Sequence, residues 1–199
     1  MKILLATHNK NKLSEFQAIL QPNDIEVVGL CDMPEDFEID ETGNTFLENA
    51  ALKAQSAFSK FGIPTVADDS GLEVLALDNK PGVFSSRFAG ENATDEDNNK
   101  KLLEEMKDIA PENRQARFVC VSVLVTALDG TTSFAEGTAD GEIIFEPKGS
   151  NGFGYDPLFY YPPLKKTFAE ISNDEKNTVS HRKKSIQAIR YKIIEFFKS

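Results

Sequence analysis

Two neighbouring carboxylates follow an apolar run in Thr65-Val66-Ala67-Asp68-Asp69-Ser70-Gly71. Side chains of neighbouring residues at a strand end point in different directions, so one carboxylate can face a ligand while the other caps backbone N–H groups. A hard cation such as Mg²⁺ needs few protein carboxylates, because it keeps waters and takes phosphate oxygens. Glu41, within the acidic stretch Asp40-Glu41-Thr42-Gly43, is a candidate second carboxylate. Asp, Ser and Gly are also ordinary turn residues, so a plain turn accounts for the same pattern. Ser70 has no base close in sequence and no nucleophile elbow around it, which favours a ligand or structural role.

Three further segments carry donors or aromatic faces. Thr7-His8-Asn9-Lys10-Asn11-Lys12 joins a first strand to a first helix, where backbone N–H groups and the positive helix end can receive phosphate. It lacks the GxxxxGK[ST] spacing of a P-loop and also reads as a solvated capping loop. Gly149-Ser150-Asn151-Gly152-Phe153-Gly154-Tyr155-Asp156-Pro157 lets backbone approach a flat ligand and offers the faces of Phe153 and Tyr155. Stacking on a base is worth roughly 1–3 kcal/mol. The segment is not a dinucleotide fingerprint, because Asp156-Pro157 blocks a following helix. Finally, Lys176, His181 and Arg182 lie near the start of the last helix, where the dipole disfavours cations. Three donors held there suggest an anionic or carbonyl-bearing ligand. His8 and His181 are the only histidines, so a histidine-based metal site is implausible.

The elements that must position these residues follow from periodicity. Ile3 to Ala6 reads as a buried strand, followed by a helix with Leu13, Phe16 and Leu20 on one face. A second strand spans Ile25 to Leu30. Thr45-Phe46-Leu47-Glu48 has the form of a capping box and opens a helix to about Phe61, ended by Gly62 and Pro64. Thr65-Val66-Ala67 is a short strand stopping at Asp68, Leu72 to Leu77 is another, and Asp78 to Gly82 is a turn. A helix from Asp95 to Lys107 presents Leu102, Leu103 and Met106. Arg117 to Leu128 is the longest strand and reads as central. Asp129-Gly130 turns into a strand over Thr131–Glu136, with another near Glu142–Phe145 and a closing helix from Ser180 to Phe197. The expected class is α/β with a mixed sheet containing long antiparallel strands.

The chain has 199 residues and a formal net charge of −10, and it suits a single domain over residues 1–199. The acidic balance excludes non-specific nucleic-acid or anionic-membrane binding. The charge is uneven, however. Lys165 to Ser199 holds nine Lys/Arg against four Asp/Glu, residues 1–14 hold three Lys and no acid, and Leu13 to Leu52 holds ten acids and no Lys or Arg. Basic ends on an acidic chain could hold an anion between them. No apolar run is long enough for a signal-peptide core or a membrane span. Cys31 and Cys120 lack a CxxC partner, and Cys120 within Phe118-Val119-Cys120-Val121 reads as a buried free thiol, which favours a reducing cytoplasm.

Taken together, the motifs resemble one family. They are Thr7-x-Asn9-x-x-Lys12, Glu41-x-Gly43 ahead of Thr45-Phe46-x-Glu48-Asn49-Ala50, Ala67 to Gly71, Pro81-Gly82 followed by Ser86-Arg87, Gly152 to Pro157, and Ser180-His181-Arg182. The chain is similar over its whole length to the inosine/xanthosine triphosphate pyrophosphatases, although many members carry Gly at position 8. The resemblance implies Mg²⁺-dependent hydrolysis of ITP, dITP and XTP to monophosphate and pyrophosphate, with one Mg²⁺ per subunit. Glu41 and Asp69 would hold the metal, and Asp69 would accept the proton of the attacking water. Thr7, His8, Asn9, Lys10, Asn11, Lys12 and Ser70 would bind phosphates and the neighbouring sugar. Phe153, Gly154, Tyr155, Asp156, Lys176, His181 and Arg182 would form the base pocket. An elongated two-lobed fold with a long mixed sheet and a central nucleotide cleft is implied, as is a cytoplasmic homodimer.

The chemistry suits these roles. Hypoxanthine and xanthine present a 6-oxo acceptor where adenine has an amino donor, so fixed donors would reject ATP, by ~10⁴ or more where buried polar groups are left unpaired. Two alternatives stand beside this reading. A related Mg²⁺-dependent phosphatase would act on another modified nucleotide, such as a pyrimidine triphosphate. A nucleotide sensor would bind without cleaving, but it has no need of Glu41, Asp69 and Lys12.

Overall fold

The computed structural model describes residues 1–20, 24–35, 37–127 and 132–198, with the side chain of Asn11 outside that description. Thirteen helices and strands are found among the described residues, besides short 3₁₀ turns. They are β1 (Lys2–Leu5), α1 (Lys10–Leu20), β2 (Glu26–Gly29), α2 (Phe46–Phe61), β3 (Thr65–Val74), β4 (Lys80–Pro81) and α3 (Asp95–Glu105). Then follow β5 (Gln115–Val125), β6 (Thr132–Ile143), β7 (Phe159–Tyr161), β8 (Lys166–Thr167), α4 (Asn173–Val179) and α5 (His181–Lys198). The eight-stranded sheet runs β2-β1-β3-β5-β6-β7-β8, with β4 paired to β3. β1 pairs parallel to β2 and β3, whereas β3/β4, β6/β7 and β7/β8 are antiparallel. The class is therefore mixed α/β, and β5, buried along most of its length, is the middle strand of the path as its apolar run predicts.

The chain divides into two compact units. One comprises Met1–Asp69, Cys120–Gly137 and Arg182–Ser199, and the other Ser70–Val119 and Thr138–His181. In the first, Leu13, Phe16 and Leu20 of α1 pack with Ile3 and Leu5 of β1, Val66, and Ile186, Ile189 and Ile193 of α5. These are the residues whose helical spacing marks them in the sequence. In the second, Leu102 and Met106 pack with Phe118, Phe159 and Phe168, each fully or nearly fully buried. Arg114 is buried there without a carboxylate among its hydrogen bonds. Its guanidinium donates to the carbonyls of Ile143 (2.7 Å), Met106 (2.7 Å), Ile109 (3.4 Å) and Ile144 (3.3 Å), joining the end of α3 to the end of β6.

Four local expectations are corrected. First, the strand beginning at Thr65 does not stop at Asp68 but continues to Val74, and Leu75–Leu77 is a 3₁₀ turn. The acidic pair is tolerated mid-strand because each carboxylate finds a cation (below). Second, Thr45 caps α2 as expected, its Oγ1 accepting from Glu48 N at 3.1 Å. Glu48 returns its carboxylate to Asn44 N at 2.6 Å, one residue earlier than in a standard box. Gly62 ends α2 at φ 66°, a conformation that favours glycine. Third, residues 132–143 form one strand rather than two, and at 12 residues it is longer than the 11-residue β5 that the sequence marked as longest. Fourth, Lys176 belongs to a separate helix, α4, capped by Ser172, and it lies in that helix's last turn, where the dipole favours a cation. The turn expected at Asp129-Gly130 lies outside the described residues. Among the described residues no helix is long and apolar enough to cross a membrane.

Cys120 is fully buried and Cys31 exposed, both as free thiols. Burial, with the charge of Asp68 behind it, pushes the Cys120 thiol up to about 12, so its thiolate is scarce at neutral pH. A thiol reagent is therefore expected to label one cysteine per chain in the native protein and two after unfolding in guanidinium. Rapid native labelling of both, followed by mass spectrometry, would contradict this packing.

Candidate active site

The parallel register sets the geometry. Leu5 of β1 lies opposite Val66 of β3, and Ala6 N donates to Val66 O at 2.8 Å. β1 then ends, while β3 carries on through Asp68 and Asp69. The carboxylates thus emerge at the end of the sheet where the chain turns from β1 into α1, the usual position for ligands in parallel sheets. Asn9 caps α1 by accepting from Lys12 N at 3.3 Å, and its own N donates to Thr7 Oγ1 at 3.2 Å. Lys10 is exposed, and Lys12 falls in the first helical turn, facing β3. The exposed His8 places Nε2 2.9 Å from the carbonyl of Phe37, within the acidic segment that carries Glu41.

Asp68 points inward. Its Oδ2 lies 2.9 Å from Lys12 Nζ and 3.5 Å from Arg182 Nε, and Arg182 Nη1 is 3.4 Å from Glu15 Oε2. Burial works to raise the pKa of Asp68. The charges of Lys12, Arg182 and Lys53 outweigh it and hold the carboxyl well below the usual range. Burial likewise works against the Arg182 charge, and Asp68 and Glu15 more than restore it. Asp68 Oδ1 is buried with no hydrogen-bond partner among the described residues.

Asp69, alternating to the other side of the strand, meets α2. Lys53 Nζ sits 2.6 Å from Glu41 Oε1 and 3.3 Å from Asp69 Oδ1. Asn49 completes the arrangement: its Oδ1 accepts from Gly43 N at 2.8 Å while its Nδ2 donates to Asp69 Oδ2 at 3.2 Å. One carboxamide therefore ties the acidic loop to the strand and brings Glu41 beside Asp69. A Cβ on Gly43 would come within 2.7 Å of that same Asn49 oxygen, so glycine is required by the close approach. Burial raises the pKa of Asp69, Lys53 opposes this and Glu41 adds to it, leaving the carboxyl above its ordinary value. Lys53, penalised by burial, is held charged by Asp69, Asp68 and Glu41.

Lys53 and Asn49 complete this group, although the sequence reading gave Lys53 no place and quoted Asn49 only as part of a motif. The signal was present: Phe46, Asn49, Ala50, Lys53, Ala54 and Ala57 form the buried face of α2, and two polar residues on an apolar stripe need buried partners.

In the other unit, the glycine-rich segment wraps around Asp156. The buried Asp156 Oδ2 accepts from Phe153 N at 2.9 Å and pairs with Lys176 Nζ. Gly152 has φ 76°, and a Cβ there would overlap the Asp156 carboxylate at 2.0 Å. Lys176 Nζ lies 4.6 Å from the centroid of Phe153, whose ring is 47% exposed. Tyr155 is buried, and its hydroxyl donates to Ser85 O at 2.8 Å, so its face is not offered to solvent. His181 stacks on Phe118 at 4.8 Å. The structure thus brings Phe153, Asp156 and Lys176 together. Arg182, next in sequence to His181, directs its guanidinium to Asp68 and Glu15. Ser70 follows Asp69 on β3, partly buried.

A family model described as the Ham1 family matches residues 3–192. The chain is 50% identical over 198 residues to a dITP/XTP pyrophosphatase of Exiguobacterium sp., covering 100% of both chains. It is 46% identical over 188 residues to a dITP/XTP pyrophosphatase of Staphylococcus epidermidis, covering 94% of each. The structure of a HAM1 protein from Coxiella burnetii superposes with a TM-score of 0.92 at 42% identity, covering 98% of this chain and 99% of that one.

Removing one member of a buried charge group strands the others. Asp68→Asn, leaving Lys12 and Arg182 facing a neutral amide, is expected to cost about 3–5 kcal/mol of stability at pH 7 in urea denaturation. Because the folded pKa is depressed, the wild-type contribution is present above the unfolded carboxyl value near ~4 and is lost as pH falls below it. The variant should therefore show a shallower acid dependence there, and equal stability of the two at pH 7 would contradict the charge balance.

Proposed function

Because the chain belongs to the Ham1 family, we propose that its function is the hydrolysis of non-standard purine nucleoside triphosphates. The enzyme is a hydrolase of the phosphoric anhydride bond, acting on dITP, ITP and XTP and releasing pyrophosphate, which removes these nucleotides from the pool that polymerases draw on. The observation that carries the reading is the group Glu41–Lys53–Asp69 beside Lys12–Asp68–Arg182 at the end of the parallel strands.

The residues present fit a hard cation. Glu41 Oε1 and Asp69 Oδ1 already converge on one positive charge, Lys53 Nζ, and Asp68 Oδ1 is a buried carboxylate oxygen without a hydrogen-bond donor among the described residues. Among the described residues no three His, Cys, Asp or Glu are grouped as a metal cage. Mg²⁺ requires no such cage, since phosphate oxygens and water complete its six ligands. Glu41 and Asp69 would hold Mg²⁺, one ion per subunit, and the bound ion would polarise the phosphoryl oxygens and neutralise their charge. Asp69 takes the proton of the attacking water on Oδ1, while the Asn49 amide fixes the orientation of Oδ2. Lys12 and Lys53 supply the positive charge that meets the developing charge of the leaving pyrophosphate. The Thr7–Lys12 segment adds backbone and side-chain donors for phosphate, and Ser70 a hydroxyl.

In the other unit, the exposed Phe153 ring offers a stacking face and Lys176, steered by Asp156, a donor for a 6-oxo group. Adenine, with an amino donor at that position, offers the ammonium no acceptor beyond Asp156. Gly154, Tyr155 and His181 shape the same neighbourhood. The enzyme acts as a cytoplasmic homodimer on free nucleotides, without nucleic acid or membrane.

A product assay tests this. ITP, dITP, XTP, ATP, GTP and a pyrimidine triphosphate, UTP, are incubated with wild type and Asp69→Asn, with and without Mg²⁺, and the products resolved by chromatography. Wild type with Mg²⁺ is expected to convert ITP to IMP and pyrophosphate and to act on ATP at least about a hundredfold more slowly. Asp69→Asn should lose about a hundredfold or more. Release of inorganic phosphate, or comparable turnover of a pyrimidine triphosphate, would favour a related phosphatase instead.

A further inference from the structure

The Phe153 ring is borne by a segment that packing alone does not hold. A cavity of about 410 Å³ lies against the segment, lined by Leu103, Gly152, Phe153, Gly154 and Leu158 among others. Of the α3 residues that line the same cavity, Asp95 and Asn99 reach the residue that follows Phe153. Asp95 Oδ2 accepts from Gly154 N at 2.6 Å, and Asn99 Nδ2 donates to Gly154 O at 2.8 Å. Gly154 itself has φ 60°, and a Cβ there would meet nothing within 4 Å, so no neighbouring atom braces the residue from that side. Residues four apart on a helix lie on one face, so the pair forms a fork that grips both the N–H and the C=O of one residue.

The fork acts on Gly154, whereas Asp156 fixes the preceding residue by accepting from Phe153 N. Asp95 and Asn99 leave the stacking ring and Lys176 to others, and neither belongs to the motifs that carry the family resemblance. Thr94 and Asp97 cap α3 reciprocally, so the helix start that presents Asp95 is itself ordered. Hydrogen bonds to a charged group are the stronger ones, and the contact of Asp95 with Gly154 N is of that kind.

We propose that Asp95 and Asn99 are positioning residues that hold Phe153 against Lys176 through the two peptide groups flanking Gly154 and thereby set nucleobase affinity and selectivity. The proposal rests on the base-recognition role given above to Phe153 and Lys176. Loosening the fork lets the ring leave its place over the ammonium and weakens base binding. The phosphate-cleaving residues, carried by other segments, keep their geometry.

The test compares Asp95→Ala, Asp95→Asn, Asn99→Ala and Asn99→Asp in steady-state kinetics on ITP and ATP with Mg²⁺. It adds amide hydrogen exchange of the peptides covering residues 150–156. The two Ala variants should raise KM for ITP about tenfold, with kcat within about twofold of wild type and a narrower ITP-to-ATP ratio. Asp95→Asn keeps an acceptor for Gly154 N and should restore most of the affinity. Asn99→Asp sets a carboxylate against the Gly154 carbonyl and should be no better than Asn99→Ala. Unchanged KM in the Ala variants, or a loss in kcat alone, overturns the proposal. If wild type fails to cleave ITP, the functional reading falls. The fork is then judged by exchange: faster exchange at 150–156 in Asp95→Ala than in Asp95→Asn supports it, and equal exchange overturns it.

Discussion

A buried carboxylate between two cations is the constraint on which this site depends. Asp68 reaches Lys12 at the start of α1 and Arg182 at the start of α5, so three segments far apart in sequence meet at one charged oxygen. Taking a carboxylate out of water is unfavourable by several kcal/mol unless cations and donors replace the solvent. Here the cations do so strongly enough to depress the pKa in spite of complete burial. The strand can therefore run straight through an acidic pair that would otherwise stay in a solvated turn. Because it does, Asp69 on the alternate face is delivered to α2, where Lys53 and Asn49 wait on an otherwise apolar stripe. The carboxylate proposed for chemistry, Asp69, owes its position to the neighbouring Asp68.

The same device recurs in the second unit. Asp156 is buried, pairs with Lys176 and receives the N–H of Phe153, so an ammonium and an aromatic ring are set face to face by one carboxylate. Lys12, Lys53, Lys176 and Arg182 are thus each matched to a buried acid, so a chain of net charge −10 carries ordered positive charge.

Much of this was legible in the sequence. The apolar spacing of Leu13, Phe16 and Leu20 identified part of the core of the first unit, the largely apolar run within 117–128 identified the central strand, and the glycines around Phe153 marked a loop that no helix follows. What escaped was tertiary compensation. Asp68 to Gly71 reads as a turn because local propensity cannot register Lys12 and Arg182 arriving from elsewhere. Residues 173–179 received no element because a seven-residue helix carries too few apolar positions to show a period, although Ser172 and Glu175 mark its start. Lys53 was passed over because a lysine on a helix is ordinarily solvated. Only its place on the buried stripe signals otherwise. Arg182 was grouped with its sequence neighbours, whereas its guanidinium answers to Asp68 and Glu15.

If Glu41 and Asp69, drawn together by Lys53 and Asn49, form the cation site at which triphosphate is cleaved, the Mg²⁺ dependence of ITP hydrolysis must change when Glu41 is altered. Measured at saturating nucleotide, Glu41→Gln should shift the Mg²⁺ midpoint to about tenfold or more higher concentration than wild type. An unchanged midpoint with an undiminished rate would refute a cation site at Glu41.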